Sequence, residues 1–191
     1  MRFHYAGPYT GLVSDLPQRD PMPENANEFR EPEDMRKFAV ISSIVSMALV
    51  VALWLLMYFY AGRYVYNLIG IILSFVAIVP HELIHALMFR DDVYMYSNIR
   101  QGMLFVVGTE DFSRLRFVLM SLAPSIIFGI VPMIIWFANP EPGYDWLAMF
   151  GLASTVMSAG DFINVFNAIT QVPQGAKVFL SGMHTYWYQP E

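Results

Sequence analysis

The residues with the clearest chemistry are His81-Glu82-Leu83-Ile84-His85, near the end of a long apolar run. On a helix, two histidines at positions i and i+4 lie on one face about one turn apart, which is the spacing at which both bind a single zinc ion. The glutamate between them lies beside the open coordination position, where it can accept a proton from water. The alternative is a pair of core histidines satisfied by their neighbours. The complete pattern favours a zinc site, with His81 and His85 as ligands and Glu82 as the general base.

Composition indicates where such a site would lie. Hydrophobic residues make up 56% of the 191 residues and charged residues 14%, which is far too apolar for a typical soluble domain. The sequence therefore predicts an integral membrane protein that contacts the lipid bilayer. There is no cysteine, so a metal must be held by histidine and carboxylate. The net charge of -5 argues against nucleic acid as a partner, because no basic stripe exists to neutralise phosphates.

Long apolar runs predict an all-α integral membrane fold with four transmembrane helices. The predicted helices cover residues 38–60, 66–89, 115–138 and 144–169. Pro80 has no amide proton, so we expect the second helix to kink or restart there. Two β-prone runs predict a short β-hairpin between the second and third helices, formed by residues 93–97 and 103–107. Its edge could align an extended peptide beside the metal.

The ends of the chain are polar. We expect residues 1–37 to form a mostly irregular cytosolic N-terminal tail, with a short helix leading in from Pro32. Residues 38–191 are then expected to form a transmembrane metallopeptidase-like domain. The tail does not resemble a signal peptide, because the first apolar run starts late and follows acidic residues. Residues 171–191 predict a short C-terminal tail. With both tails and the 90–116 connection on one side, ten of eleven basic residues lie together, which predicts cytosolic termini.

A catalytic zinc ion usually has three protein ligands, so a third must come from another segment. Asp161 is the only ionisable residue deep inside the fourth apolar run, where a carboxylate costs about 2.5–3.5 kcal/mol and needs a partner or a function. At about 1.5 Å per residue, it lies at the same depth as His81 and His85. We predict Asp161 as the third ligand, and Glu110 as the alternative. The other candidates after His85 are Asp111 and His184.

Asn164 lies one turn beyond Asp161 on the same helix face. Its amide could donate a hydrogen bond to a substrate or to the ligand carboxylate. The alternative for Asp161 is a structural hydrogen bond to the neighbouring asparagines or serines, and the alternative for Asn164 is a hydrogen bond between helices.

Three segments carry a resemblance to a known family: Pro-His-Glu-Leu-Ile-His-Ala at 80–86, Ser-Ala-Gly-Asp at 158–161, and the stretch from Pro173 to Trp187. They resemble the small bacterial and archaeal membrane proteins described as the Putative zincin peptidase family, over roughly residues 40–187. The resemblance implies zinc as cofactor, with His81, His85 and Asp161 as ligands and Glu82 as the base. It also implies the plasma membrane of a prokaryote as the location.

More distantly, the arrangement is similar to the site-2 protease clan of intramembrane metalloproteases. Those proteins typically have glycine after the last aspartate, whereas here Asp161 is followed by Phe162 and preceded by Gly160. From the HExxH spacing, the apolar runs and the resemblance together, we expect a zinc-dependent, membrane-embedded peptidase. Its expected substrates are transmembrane or membrane-proximal polypeptides. The alternative is a non-catalytic membrane scaffold or regulator that retains the zinc site. A metal transporter is disfavoured, because a single polar cluster interrupts the apolar runs.

Overall fold

The computed structural model describes residues 1–30, 35–98 and 102–190. The lead-in from Pro32 and part of the predicted hairpin turn lie outside the described residues. The α-helices are α1 (Met35–Ala61), α2 (Leu68–Val76), α3 (Ile78–Leu87), α4 (Arg114–Pro124), α5 (Val131–Ala138), α6 (Asp145–Met157) and α7 (Ala159–Gln171). A π-helical segment, Ser125–Ile130, joins α4 to α5. The strands are β1 (Arg2–Pro8), β2 (Asn27–Glu28), β3 (Asp92–Asn98), β4 (Met103–Val107), β5 (Phe112–Ser113), β6 (Lys177–Ser181) and β7 (His184–Tyr188).

The prediction of an all-α fold with four transmembrane helices is wrong, because the described residues form a mixed α/β fold with two sheets. Strands β6 and β7 occupy residues predicted as a C-terminal tail, and β1 and β2 occupy residues predicted as mostly irregular. Strands β6 and β7 pair with each other across a two-residue turn, a local hairpin that the sequence prediction missed. Strands β1 and β2 instead pair over long separations. In β1, for example, Arg2 lies opposite Asp92. Pairing between distant segments leaves little periodicity in a short polar stretch.

Two helices are long and apolar enough to cross a membrane, Val40–Ala61 and Arg114–Ala138. They correspond to the first and third predicted runs. The other two runs are bent pairs: α2 and α3 meet at 42°, and α6 and α7 meet at 53°. The described chain therefore holds two candidate crossings, or up to four if each bent pair counts as one crossing.

The chain divides into two compact units. The sheet unit comprises Met1–Arg30, Glu82–Ser121 and Asn164–Glu191. Its first sheet has the order β1-β3-β4, with β1 parallel and β4 antiparallel to β3. The antiparallel pairing of β3 with β4 confirms the predicted pairing of 93–97 with 103–107. The second sheet, β2-β7-β6-β5, is antiparallel throughout. The core includes Phe29, Phe89, Val93, Phe112, Phe117 and Val178.

The helical unit comprises Glu31–His81 and Leu122–Ile163, and its core includes Met57, Trp136, Met149 and Leu152. Glycines allow its helices to approach closely. A Cβ atom on Gly70 would overlap the carbonyl oxygen of Trp146, and one on Gly151 would lie 2.6 Å from that of Gly129. Backbones at these distances leave no room for a side chain, as is common where apolar helices pack in lipid.

A bidentate ion pair closes one end of the helical unit. Arg63, which follows α1, donates to both carboxylate oxygens of Asp145, the first residue of α6, at 2.7 and 2.8 Å. Trp136 Nε1 donates to the same carboxylate at 3.1 Å. The Asp145 side chain is only 8% exposed, and its hydrogen bond raises the pKa of Arg63 above the ordinary value. The pair ties the loop after α1 to the start of α6.

Candidate metal centre

The helix that carries the HExxH sequence begins directly after a break. Helix α2 ends at Val76, α3 starts at Ile78, and Pro80 lies in the first turn of α3. Because proline has no amide proton, it cannot donate to the Val76 carbonyl four residues back, and a first helical turn tolerates it best. The predicted restart is confirmed, although the break falls three residues before Pro80. It leaves His81 near the beginning of α3, with His85 one turn further along.

The helix that carries Asp161 also begins after a break, but no proline causes it. The hydroxyl of Thr155 donates to the Gly151 carbonyl at 2.8 Å, and that of Ser158 donates to the Ser154 carbonyl at 3.0 Å. Hydroxyl groups that bond back to the preceding turn bend helices. The new helix, α7, has Asp161 in its first turn, where the helix dipole favours a negative charge.

The two restarted helices bring the predicted ligands together. His81 Nε2 lies 3.2 Å from Asp161 Oδ2, and their side chains are 15% and 16% exposed. One potential ligand atom from each of His81, His85 and Asp161 lies within 4.8 Å of the others. Two imidazoles and one carboxylate form a donor set that zinc accepts. The residues present therefore fit a zinc ion.

His85 is oriented by a backbone contact. Its Nδ1 atom lies 2.9 Å from the carbonyl oxygen of Met120 in α4. A carbonyl oxygen only accepts hydrogen bonds, so Nδ1 carries the proton and Nε2 carries the free electron pair. A hydrogen bond of this kind fixes the tautomer of a metal-binding histidine. His85 is also buried, at 7% exposure, so the ring has few alternative positions.

The predicted alternative ligand, Glu110, has another role in the structure. Its Oε2 atom accepts the backbone N–H groups of Arg90 and Asp91, at 2.5 and 2.8 Å, directly after α3. Its other oxygen pairs with Arg116 at 2.7 Å. Arg116 also donates to the Met88 carbonyl. Glu110 and Arg116 thus stabilise the chain where it leaves α3. This role has no local sequence signal, because the amides that Glu110 binds lie 20 and 19 residues before it.

The remaining candidates also have partners elsewhere. Asp111 accepts two hydrogen bonds from Arg19, and His184 pairs with Glu28 at 2.7 Å. The structure therefore places Asp161, among the four candidates, beside His81.

The predicted roles of Glu82 and Asn164 stay predictions. Glu82 is half-buried on α3, between the two histidines. Asn164 is half-buried on α7, three residues beyond Asp161.

Two histidines one turn apart on a helix, with a carboxylate beside the first, form an arrangement that can hold a zinc ion. The chain matches the model of the family described as Putative zincin peptidase over residues 74–177, which is more than half of its length and includes α3 and Asp161. It belongs to that family, and the family implies zinc as the metal. No curated protein and no solved structure matches the chain.

Proposed function

We propose that this protein is a zinc-dependent peptidase that cleaves transmembrane or membrane-proximal polypeptides. The observation that carries the proposal is the grouping of His81, His85 and Asp161 within 4.8 Å, with Glu82 on the same helix as both histidines. Membership of a zincin family supports hydrolysis of peptide bonds.

In the proposed reaction, His81, His85 and Asp161 hold the ion. Zinc, when bound, supplies a Lewis acid that acidifies a water molecule and polarises a carbonyl group. A carboxylate oxygen of Glu82 accepts the proton of the attacking water while the water oxygen bonds to the carbonyl carbon. Glu82 then returns that proton to the amide nitrogen as the carbon–nitrogen bond breaks. Asn164 donates to the substrate or to the Asp161 carboxylate.

The membrane setting is supported by the exposed surface of the candidate crossing helices. In α1 the large exposed side chains are Val40, Ile41, Ile44, Met47, Val51, Leu55, Leu56, Phe59 and Tyr60. Such a surface is stable against lipid and not against water. A helical substrate hides its carbonyl groups, so the cleaved segment must be extended when it reaches Glu82. The location in a prokaryotic plasma membrane and the cytosolic placement of both termini are part of the proposal, and reporter fusions at each terminus test the second.

The test is Glu82→Gln in the full-length chain, with Glu141→Gln in an exposed loop as the matched control. The probes are fluorescein-labelled casein and a labelled transmembrane peptide, both presented in detergent and in liposomes. We expect Glu82→Gln to keep its zinc and to lose about 10²–10⁴-fold in cleavage rate, because only proton transfer is removed. The control should cleave like the wild type.

Equal cleavage by Glu82→Gln and wild type would show that Glu82 is not the base. Zinc binding without cleavage of either probe by the wild type would instead favour the scaffold or regulator.

A further inference from the structure

Pro124 lies inside a helix that continues past it. The helix runs from Arg114 to Ala138, and Pro124 is fully buried within it. In an α-helix, the amide of residue 124 would donate to the carbonyl of residue 120. Proline has no amide proton, so the Met120 carbonyl loses its helical donor. In apolar helices, such freed carbonyls are satisfied by groups from neighbouring segments.

The group that contacts this particular carbonyl is the imidazole of His85. Its Nδ1 atom lies 2.9 Å from the Met120 oxygen, and the contact is buried. A proline one position earlier or later would free the carbonyl of Leu119 or Ser121. Those carbonyls lie about 100° away around the helix axis, since one turn takes 3.6 residues. The position of the proline therefore matches the one carbonyl that meets His85.

We propose that Pro124 is a positioning residue for the zinc ligand His85. By removing one amide proton from the helix, it frees the Met120 carbonyl to accept the Nδ1 proton, which keeps Nε2 available for the metal. The zinc part of this inference rests on the proposed function, whereas the tautomer of His85 does not.

The experiment compares Pro124→Ala with wild type in the full-length, detergent-solubilised protein. Alanine restores an amide that competes for the Met120 oxygen, so His85 loses part of its fixed orientation. We expect zinc affinity, measured by competition with a chelator, to fall about 10–100-fold, as is typical when a partner of a metal ligand is removed. Pro132→Ala is the matched control. It removes a buried proline of the same continuous helix without changing the amide opposite Met120, and should bind zinc like wild type.

The second readout is ¹⁵N NMR of histidine-labelled protein without metal, with the His85 signal assigned by substitution. In wild type we expect the proton on Nδ1, and in Pro124→Ala a mixture of tautomers. Circular dichroism and size-exclusion chromatography check that the variant is folded.

Wild-type zinc affinity together with an unchanged Nδ1 proton in folded Pro124→Ala would overturn the inference. A wild-type His85 protonated on Nε2 would overturn it even if the variant does not fold. If wild type binds no zinc but Pro124→Ala changes the tautomer, the proposed function fails, while the role of Pro124 in positioning His85 stands.

Discussion

Two regions of the helical unit each hold an aspartate at the start of a helix, but they hold it with different partners. Each places an aspartate in the first turn of a helix, where the helix dipole favours negative charge: Asp145 in α6 and Asp161 in α7. Asp145 is held by both nitrogens of the Arg63 fork and by Trp136. Asp161 instead lies 3.2 Å from His81.

The difference lies in the partner. An arginine keeps its charge at any ordinary pH, so the pair of Asp145 with Arg63 is permanent and serves stability. A histidine can be neutral and can offer an electron pair to a metal, so the pair of Asp161 with His81 can take part in a metal site. A carboxylate in an apolar unit therefore indicates a function only when its partner is known.

We expect the largest effect when the partner of Asp145 is removed. Arg63→Ala leaves a buried carboxylate without its cation, and we expect a loss of about 3–5 kcal/mol in the free energy of unfolding. Arg63→Lys should recover part of it, because lysine keeps the charge but not the fork. The measurement is reversible denaturation in mixed micelles. A loss under about 1 kcal/mol would mean that the pair is not structural.

Asp161→Ala should affect zinc binding strongly and stability weakly, the opposite of Arg63→Ala. We expect zinc affinity to fall more than about 100-fold, beyond the range for partners of ligands, while the metal-free protein loses less stability than Arg63→Ala does. Equilibrium dialysis and the same unfolding assay measure the two quantities. Glu110→Ala is the control and should keep its zinc. Zinc retained in Asp161→Ala and lost in Glu110→Ala would reverse the assignment of the third ligand.

We expect the smallest effect at a half-buried carboxylate in the sheet unit, that of Asp92. Asp92 binds His4 at 3.0 Å and Arg2 at 2.7 Å, and these contacts, His4 first, hold its pKa below the ordinary value. Because the pKa of Asp92 is lower in the folded state, its ionised carboxylate stabilises the fold at pH values above the unfolded pKa of about 4. This stabilisation is lost as the pH falls through the folded pKa. Amide exchange in β1 should therefore be faster in Asp92→Asn at pH 7, with the difference from wild type disappearing in strong acid. An equal difference at both pH values would exclude the charge as its cause.

Prediction from sequence worked best where the signal was local. The apolar runs marked both candidate crossing helices. Pro80 marked one helix break within three residues, and two short β-prone runs marked the pairing of β3 with β4. The break before α7 was missed, because its signal is a set of hydroxyl groups whose bonding direction is visible only in the folded helix. Strands β1 and β2 were missed because their pairing partners are distant in the chain. Strands β6 and β7 pair with each other across a two-residue turn, so their hairpin was a local pattern that the prediction of a C-terminal tail overlooked.

The sequence by itself determined the spacing of His81, Glu82 and His85 on one helix and the apolar character of the candidate crossing helices, since both depend on residues within a few turns of each other. Only the tertiary structure placed Asp161, and not Glu110, beside His81. The depth estimated from sequence spacing favoured Asp161 but left Glu110 open, because spacing along the chain does not fix which distant segment reaches a given imidazole. In the structure, two helix breaks bring Asp161 beside His81, whereas Glu110 binds Arg116 and the amides after α3.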